Sequence, residues 1–133
     1  MIGDYESVRG FSITYQGFIW AGLLVADFEQ AIAFYRDLLG LPLLDKGDRC
    51  ALFDAGNGAL LELWPAGVAS PAPKTPGQQS LRVAFRVADL HGASELKGRG
   101  VQFIGKVGEY EGTRWVNFVD PEGNRLGLKE VPS

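Results

Sequence analysis

A chain of 133 residues can build one domain with a substantial core and is short for two independent ones. Hydrophobic residues at 46% and charged residues at 22% fit a folded globular protein and exclude a disordered one. The 13 basic and 16 acidic residues are scattered, with a formal charge of -3, so no basic stripe offers itself to a nucleic-acid backbone and nucleic-acid binding is not expected.

Residues 1–17 read as an N-terminal extension. Met1 to Arg9 carries Asp4 and Glu6 and lacks the basic-then-apolar order of a secretory signal, so the expected location is cytoplasmic. Phe11, Ile13 and Tyr15 alternate with polar neighbours and suggest a short extra strand. An apolar strand then runs from residue 18 into Val25-Ala26-Asp27, where the Asp27 carboxylate can accept from the unpaired amides of a first helical turn. Phe28, Ile32, Tyr35 and Leu39 recur at helical spacing, and Gly40 ends the helix. Strands are expected over 41–45, 49–54 and 59–64, with Gly56-Asn57-Gly58 as a turn. Cys50 falls in the second of these strands and reads as a small buried hydrophobe; as the single cysteine it leaves no intrachain disulfide.

Residues 65–79 contain Pro65, Pro71, Pro73 and Pro76 and read as a surface linker. Beyond it the pattern returns: Ala84-Phe85-Arg86-Val87-Ala88-Asp89-Leu90 repeats Gly22 to Phe28. Asp89 is again placed to cap a helix, with Leu90, Ala93 and Leu96 on one face and His91 in its first turn; Gly92 and Gly98 predict a shorter, weaker helix. Strands follow over 101–104, 113–119 and 125–129. Gly108 to Gly112 reads as a rim loop and Asp120-Pro121-Glu122-Gly123-Asn124 as a tight reversal. Every apolar stretch is broken by Gly, Asp or Pro well before membrane-spanning length. The order is βαβββ over 18–64, linker over 65–79, and βαβββ over 80–130, an α+β fold.

Ala33-Phe34-Tyr35-Arg36-Asp37-Leu38-Leu39-Gly40-Leu41, then Leu61-Glu62-Leu63, then Asp120 to Asn124 resemble, in order and separation, the vicinal-oxygen-chelate superfamily of glyoxalase I, bleomycin-resistance proteins and extradiol dioxygenases. The resemblance covers roughly residues 18–130. It implies paired modules whose curved mixed sheet encloses a cup, with helices outside, and a homodimer with cups formed within one chain or across two. It also implies four metal-ligand positions, which fall here on Trp20, Glu62, Arg82 and Gly127. Only Glu62 is a ligand type for a divalent metal; indole is not a ligand, guanidinium repels the ion and glycine has no side chain. The expectation is therefore no metal and no other cofactor.

Strand alternation puts Phe18, Leu24, Leu60, Trp64, Arg86, Trp115 and Asn117 on the cup side with those positions. Ile19, Leu23, Leu61, Leu63, Val83, Phe85, Leu126 and Leu128 then face the helices as core. The tryptophans Trp20, Trp64 and Trp115 are suited to stack on a planar or aromatic ligand, or equally to fill a closed cup or lie under a dimer partner. Glu62 and Arg82 either pair across the cup, or Arg82 grips a ligand carboxylate or phosphate while Glu62 accepts a proton or hydrogen bond. The first functional expectation is a metal-free small-molecule binder with Trp20, Glu62, Trp64, Arg82, Trp115 and Asn117 as ligand contacts. The alternative is a glyoxalase- or dioxygenase-related enzyme, a lyase or isomerase, with Glu62 as catalytic base or with a metal held elsewhere.

Overall fold

The computed structural model describes residues 12–70 and 72–132. In chain order these form β1 (Trp20–Leu24), α1 (Phe28–Ala33) continuing as a π-helical stretch (Phe34–Leu38), β2 (Leu43–Lys46), β3 (Ala51–Gly56) and β4 (Ala59–Trp64). After the linker come β5 (Val83–Val87), α2 (Ala93–Gly98), β6 (Gln102–Tyr110), β7 (Thr113–Val119) and β8 (Arg125–Glu130). They build two mixed sheets of the same topology, β1-β4-β3-β2 and β5-β8-β7-β6. In each sheet the module's first and last strands pair in parallel, with Gly22 opposite Glu62 and Ala84 opposite Gly127. The fold is α+β, as the repeat predicts.

Local chemistry explains most boundaries. Asp27 caps α1, its Oδ1 accepting from the Gln30 amide at 3.0 Å. The chain leaves the π-helical stretch through Gly40 at φ +83°, a left-handed turn open to glycine at little cost. The second module departs from expectation at the equivalent place. Asp89 accepts from the His91 amide at 2.9 Å and so closes a local turn, and α2 starts only at Ala93, after Gly92. His91 thus lies before the helix and not in its first turn.

Other expected elements also shift. β1 begins at Trp20, so Phe18 and Ile19 precede it; Ile19 is exposed and not core. Residues 12–19 form no strand, and Phe11, like Pro71, lies outside the described residues. Cys50 stands just before β3 and is half-buried. The expected rim loop is mostly strand. β6 continues to Tyr110 past a bulge between Ile104 and Gly108, leaving Glu111-Gly112 as the hairpin turn. The remaining expected core residues do pack inward, with Leu61, Leu63, Phe85, Leu126 and Leu128 buried and Leu23 and Val83 against them.

One core serves both modules, and its polar centre is the Asp120–Asn124 turn. Glu122 is 1% exposed, and its two oxygens accept from the amides of Ala26 at 2.7 Å and Asp27 at 3.0 Å, at the entrance to α1. Asp120 accepts from the Tyr35 hydroxyl at 2.8 Å and from the amides of Glu122 and Asn124. Buried carboxylates are tolerable only when satisfied in this way. Phe34 packs on Phe118 beside them, with ring centroids 6.2 Å apart. The linker is strapped to the same turn. Ser70 and Lys74 donate backbone hydrogen bonds to the Glu122 and Gly123 carbonyls, and a side chain at Gly123 would strike Ala72 and Ser70.

Replacing Glu122 by Gln turns an amide donor toward the Ala26 and Asp27 N–H groups, and is expected to lower stability by about 2 kcal/mol in urea unfolding. Burial holds the Tyr35 hydroxyl pKa well above its ordinary value, and the adjacent Asp120 carboxylate raises it further. A raised folded-state pKa gives stability that is complete below the unfolded value, about 10, and lost as pH climbs through the folded one. Tyr35→Phe should therefore cost about 1–2 kcal/mol at neutral pH and reduce the alkaline loss of stability seen in the parent. Urea midpoints measured at neutral pH and above pH 10 check both points.

Candidate functional site

The faces turned away from the helices follow from register. On the first sheet Trp20, Gly22 and Leu24 of β1 pair with Leu60, Glu62 and Trp64 of β4, and Glu62 in turn with Leu52 of β3. Asp54 lies beside Leu60 and Asp45 beside Leu52. This face is aromatic, aliphatic and acidic, and it is open: Trp20 is 53%, Leu24 60% and Trp64 40% exposed. The Trp64 indole N–H donates to Glu62 Oε1 at 2.8 Å, which anchors both side chains on one surface.

On the second sheet Ala84 and Arg86 of β5 pair with Gly127 and Lys129 of β8, which pair with Asn117 and Trp115 of β7. Arg82 precedes β5 on the same alternation, and Arg125 opens β8. This face therefore carries Arg82, Arg86, Arg125 and Lys129 and no carboxylate. Superposing the two modules by register sets Trp20 against Arg82, Leu24 against Arg86, Leu60 against Arg125 and Trp64 against Lys129. At each of these places a large apolar side chain in one module is a cation in the other.

Two glycines shape the aromatic surface. A Cβ at Gly22 would overlap the Trp20 ring, and one at Gly108 would overlap that of Trp115. Each indole therefore lies flat along its sheet over a residue without a side chain. Gly127 plays a related part, because a Cβ there would stand 3.1 Å from Asn117 Oδ1. Glycines inside strand patterns are the sequence signal for such close approaches. Arg125 and Lys129 were likewise readable by stepping two residues either way from Gly127.

The structure brings together Glu62 with Trp64, and Asn117 with Gly127. It does not bring Glu62 to Arg82: among the described residues no ion pair joins them, and Glu62 is engaged by Trp64. The hydrogen bonds that tie the modules pass through Ala26, Asp27 and Tyr35 on the helix side, away from both open faces. The positions equivalent to metal ligands offer one carboxylate and no second donor. Among the described residues no group of three His, Cys, Asp or Glu side chains gathers in ligating geometry. This donor set does not fit a divalent metal.

Two βαβββ modules with open faces define a protein of the paired-module, cup-forming class. The family model for the glyoxalase/bleomycin resistance protein/dioxygenase superfamily matches residues 17–128, and the chain belongs to that superfamily. It is 30% identical over 108 residues to the metallothiol transferase FosB of Lysinibacillus sphaericus, covering 77% of this chain and 73% of that one. Among solved structures it resembles TnmS3, an antibiotic binding protein from a Streptomyces species, with TM-score 0.66, 26% identity and coverage of 92% and 99% of the two chains. A glyoxalase/bleomycin resistance protein/dioxygenase from Nocardioides superposes with TM-score 0.68 at 22% identity, over 98% of this chain and 93% of that one.

The fit of indole on glycine has a direct readout. With Trp64 and Trp115 replaced by Phe, the Trp20 fluorescence of a Gly22→Ala variant should shift to longer wavelength and become more accessible to acrylamide, because the added methyl lifts the ring from the sheet. An unchanged spectrum and quenching constant would refute that packing.

Proposed function

We propose that this protein is a metal-free small-molecule binder of the glyoxalase/bleomycin-resistance type, acting as a homodimer whose cups are closed by pairing the two faces of different copies. The observation that carries the reading is the complementarity of those faces. One presents Trp20, Leu24, Leu60 and Trp64 with Asp45, Asp54 and Glu62; the other presents Arg82, Arg86, Arg125 and Lys129 around Trp115 and Asn117. An exposed apolar surface rimmed by charge of one sign calls for a partner with charge of the other. A second copy supplies it twice, in a closed two-fold arrangement.

Within such a cup Trp20, Trp64 and Trp115 offer flat surfaces for a planar or aromatic ligand, and Asn117 offers an amide that reads its polar edge. Glu62 acts as a fixed acceptor. The likeness to an antibiotic binding protein supports a binding role, and the absence of a second donor at the metal-ligand positions argues against the metal chemistry named for the FosB relative. Glu62 as a catalytic base is the weaker reading, because the Trp64 N–H already occupies its Oε1.

Tryptophan fluorescence titrated with a panel of planar aromatic compounds should show saturable quenching that is lost on replacing Trp20 and Trp115 by Ala; silence across the panel would end the binding proposal. Sedimentation velocity should find a dimer that loosens as salt is raised. The double variant Arg86→Glu, Lys129→Glu should be monomeric. A monomeric parent, or a dimer indifferent to both charges, would remove the shared cup.

A further inference from the structure

A cavity of about 450 Å³ lies where the linker crosses the leading ends of β5 and β8, lined by Lys74, Thr75, Gln79, Ser80, Arg82 and Arg125 among others. We propose that it binds a tetrahedral oxyanion, the phosphate or sulfate group of a small molecule or the free ion. The lining gathers three cations, two hydroxyls and an amide, and no carboxylate. Among the described residues none of the three cations takes part in an ion pair. Like charges brought to one cavity repel unless an anion joins them, so the arrangement is complementary to a ligand it does not itself supply.

Hydrogen bonds hold three of the lining residues, Lys74, Gln79 and Arg125, in place. The Gln79 side chain accepts from the Arg125 amide at 2.7 Å and donates to the Arg125 carbonyl at 2.9 Å, mimicking a strand partner. Arg125 Nε donates to the Lys74 carbonyl at 2.9 Å, which sets the guanidinium plane; no hydrogen bond among the described residues uses its two NH2 ends. Lys74 Nζ is steadied by Asn124 Oδ1 at 2.7 Å, and its own amide is bonded to the Gly123 carbonyl. Fixed guanidinium and ammonium groups of this kind suit an oxyanion better than mobile ones, because less freedom is lost on binding.

The donor count selects the anion. A carboxylate has two oxygens, whereas a phosphate or sulfate group presents three or four, enough to engage two guanidinium groups, an ammonium and the hydroxyls together. The volume exceeds that of a bare ion, since a water molecule occupies only about 30 Å³ of liquid, and so it admits an ester as well. Arg125 stands four residues from Lys129 along β8, roughly 13 Å, so the cavity lies at the far end of the face that carries Trp115 and shares Arg82 and Arg125 with it. The inference rests on the cavity's own donors and needs no aromatic ligand, so it survives a failure of the aromatic ligand panel.

Amide NMR of the full chain, titrated with sodium phosphate against sodium chloride at matched ionic strength, tests it. Saturable shifts are expected at Gln79, Ser80, Arg82 and Arg125 with phosphate and not with chloride. Arg82→Gln and Lys74→Gln should each weaken the apparent affinity by about tenfold, the loss of one charge-assisted hydrogen bond, while Arg99→Gln should leave it unchanged. Phenyl phosphate binding more tightly than phosphate would identify an ester-borne group, and equal affinity a free ion; both support the site. Shifts that do not saturate, that chloride reproduces, or that persist with full affinity in both variants would overturn it.

Discussion

Two buried carboxylates decide how the halves of this molecule sit. Glu122 satisfies the amides at the entrance to α1, and Asp120 holds Tyr35 within the helix, although both belong to a turn nearly a hundred residues later. An unmet buried carboxylate costs several kcal/mol, so the turn has one acceptable seat, against the first module's helix. From that contact follow the shared aromatic core of Phe34, Tyr35 and Phe118, the strapping of the linker through Ser70 and Lys74, and the outward direction of both cup faces.

That geometry places the helices' side of each sheet in the interior and leaves the other side to solvent. Trp20, Leu24 and Trp64 stay exposed on the first face, and in the proposed dimer the cationic second face of another copy would cover them. The same orientation puts the start of β8 beside the linker, so the residues that strap the linker also enclose the cationic cavity. Gln79 and Arg125 serve the fold and the cavity through one set of hydrogen bonds.

Periodicity made most of this legible. The repeated Val-Ala-Asp, the Phe34-Tyr35 helix closed by Gly40 and the Asp120–Asn124 reversal fixed the topology, and alternation from Leu61 and Leu126 identified the core. The failures are physical and local. Asp89 and Asp27 look alike, yet Asp89 closes a turn onto His91, because Leu90, His91 and Gly92 stand between it and the helix. The Gly108 stretch looked like a loop because glycine is poor in strands, and its real reason, room for the Trp115 ring, depends on a cross-strand neighbour. A Glu62–Arg82 pair followed from mapping two sites onto one cup. Within a single chain the sites belong to separate faces, and a local donor, the Trp64 indole, reaches Glu62 first.

The two modules differ in charge where a metal-centred cup would draw its ligands. In a metal-centred cup, one cation at the middle organises acidic ligands from both halves. Here positive charge is spread over Arg82, Arg86, Arg125 and Lys129 on one half, and the equivalent places on the other hold Trp20, Leu24, Leu60 and Trp64. Guanidinium and ammonium groups attract both carboxylates and the faces of indoles, so every pairing across a cup formed from the two halves is favourable or neutral. On the proposed reading such a surface would bind by shape, stacking and fixed charge, with selectivity resting on side chains that single substitutions can alter.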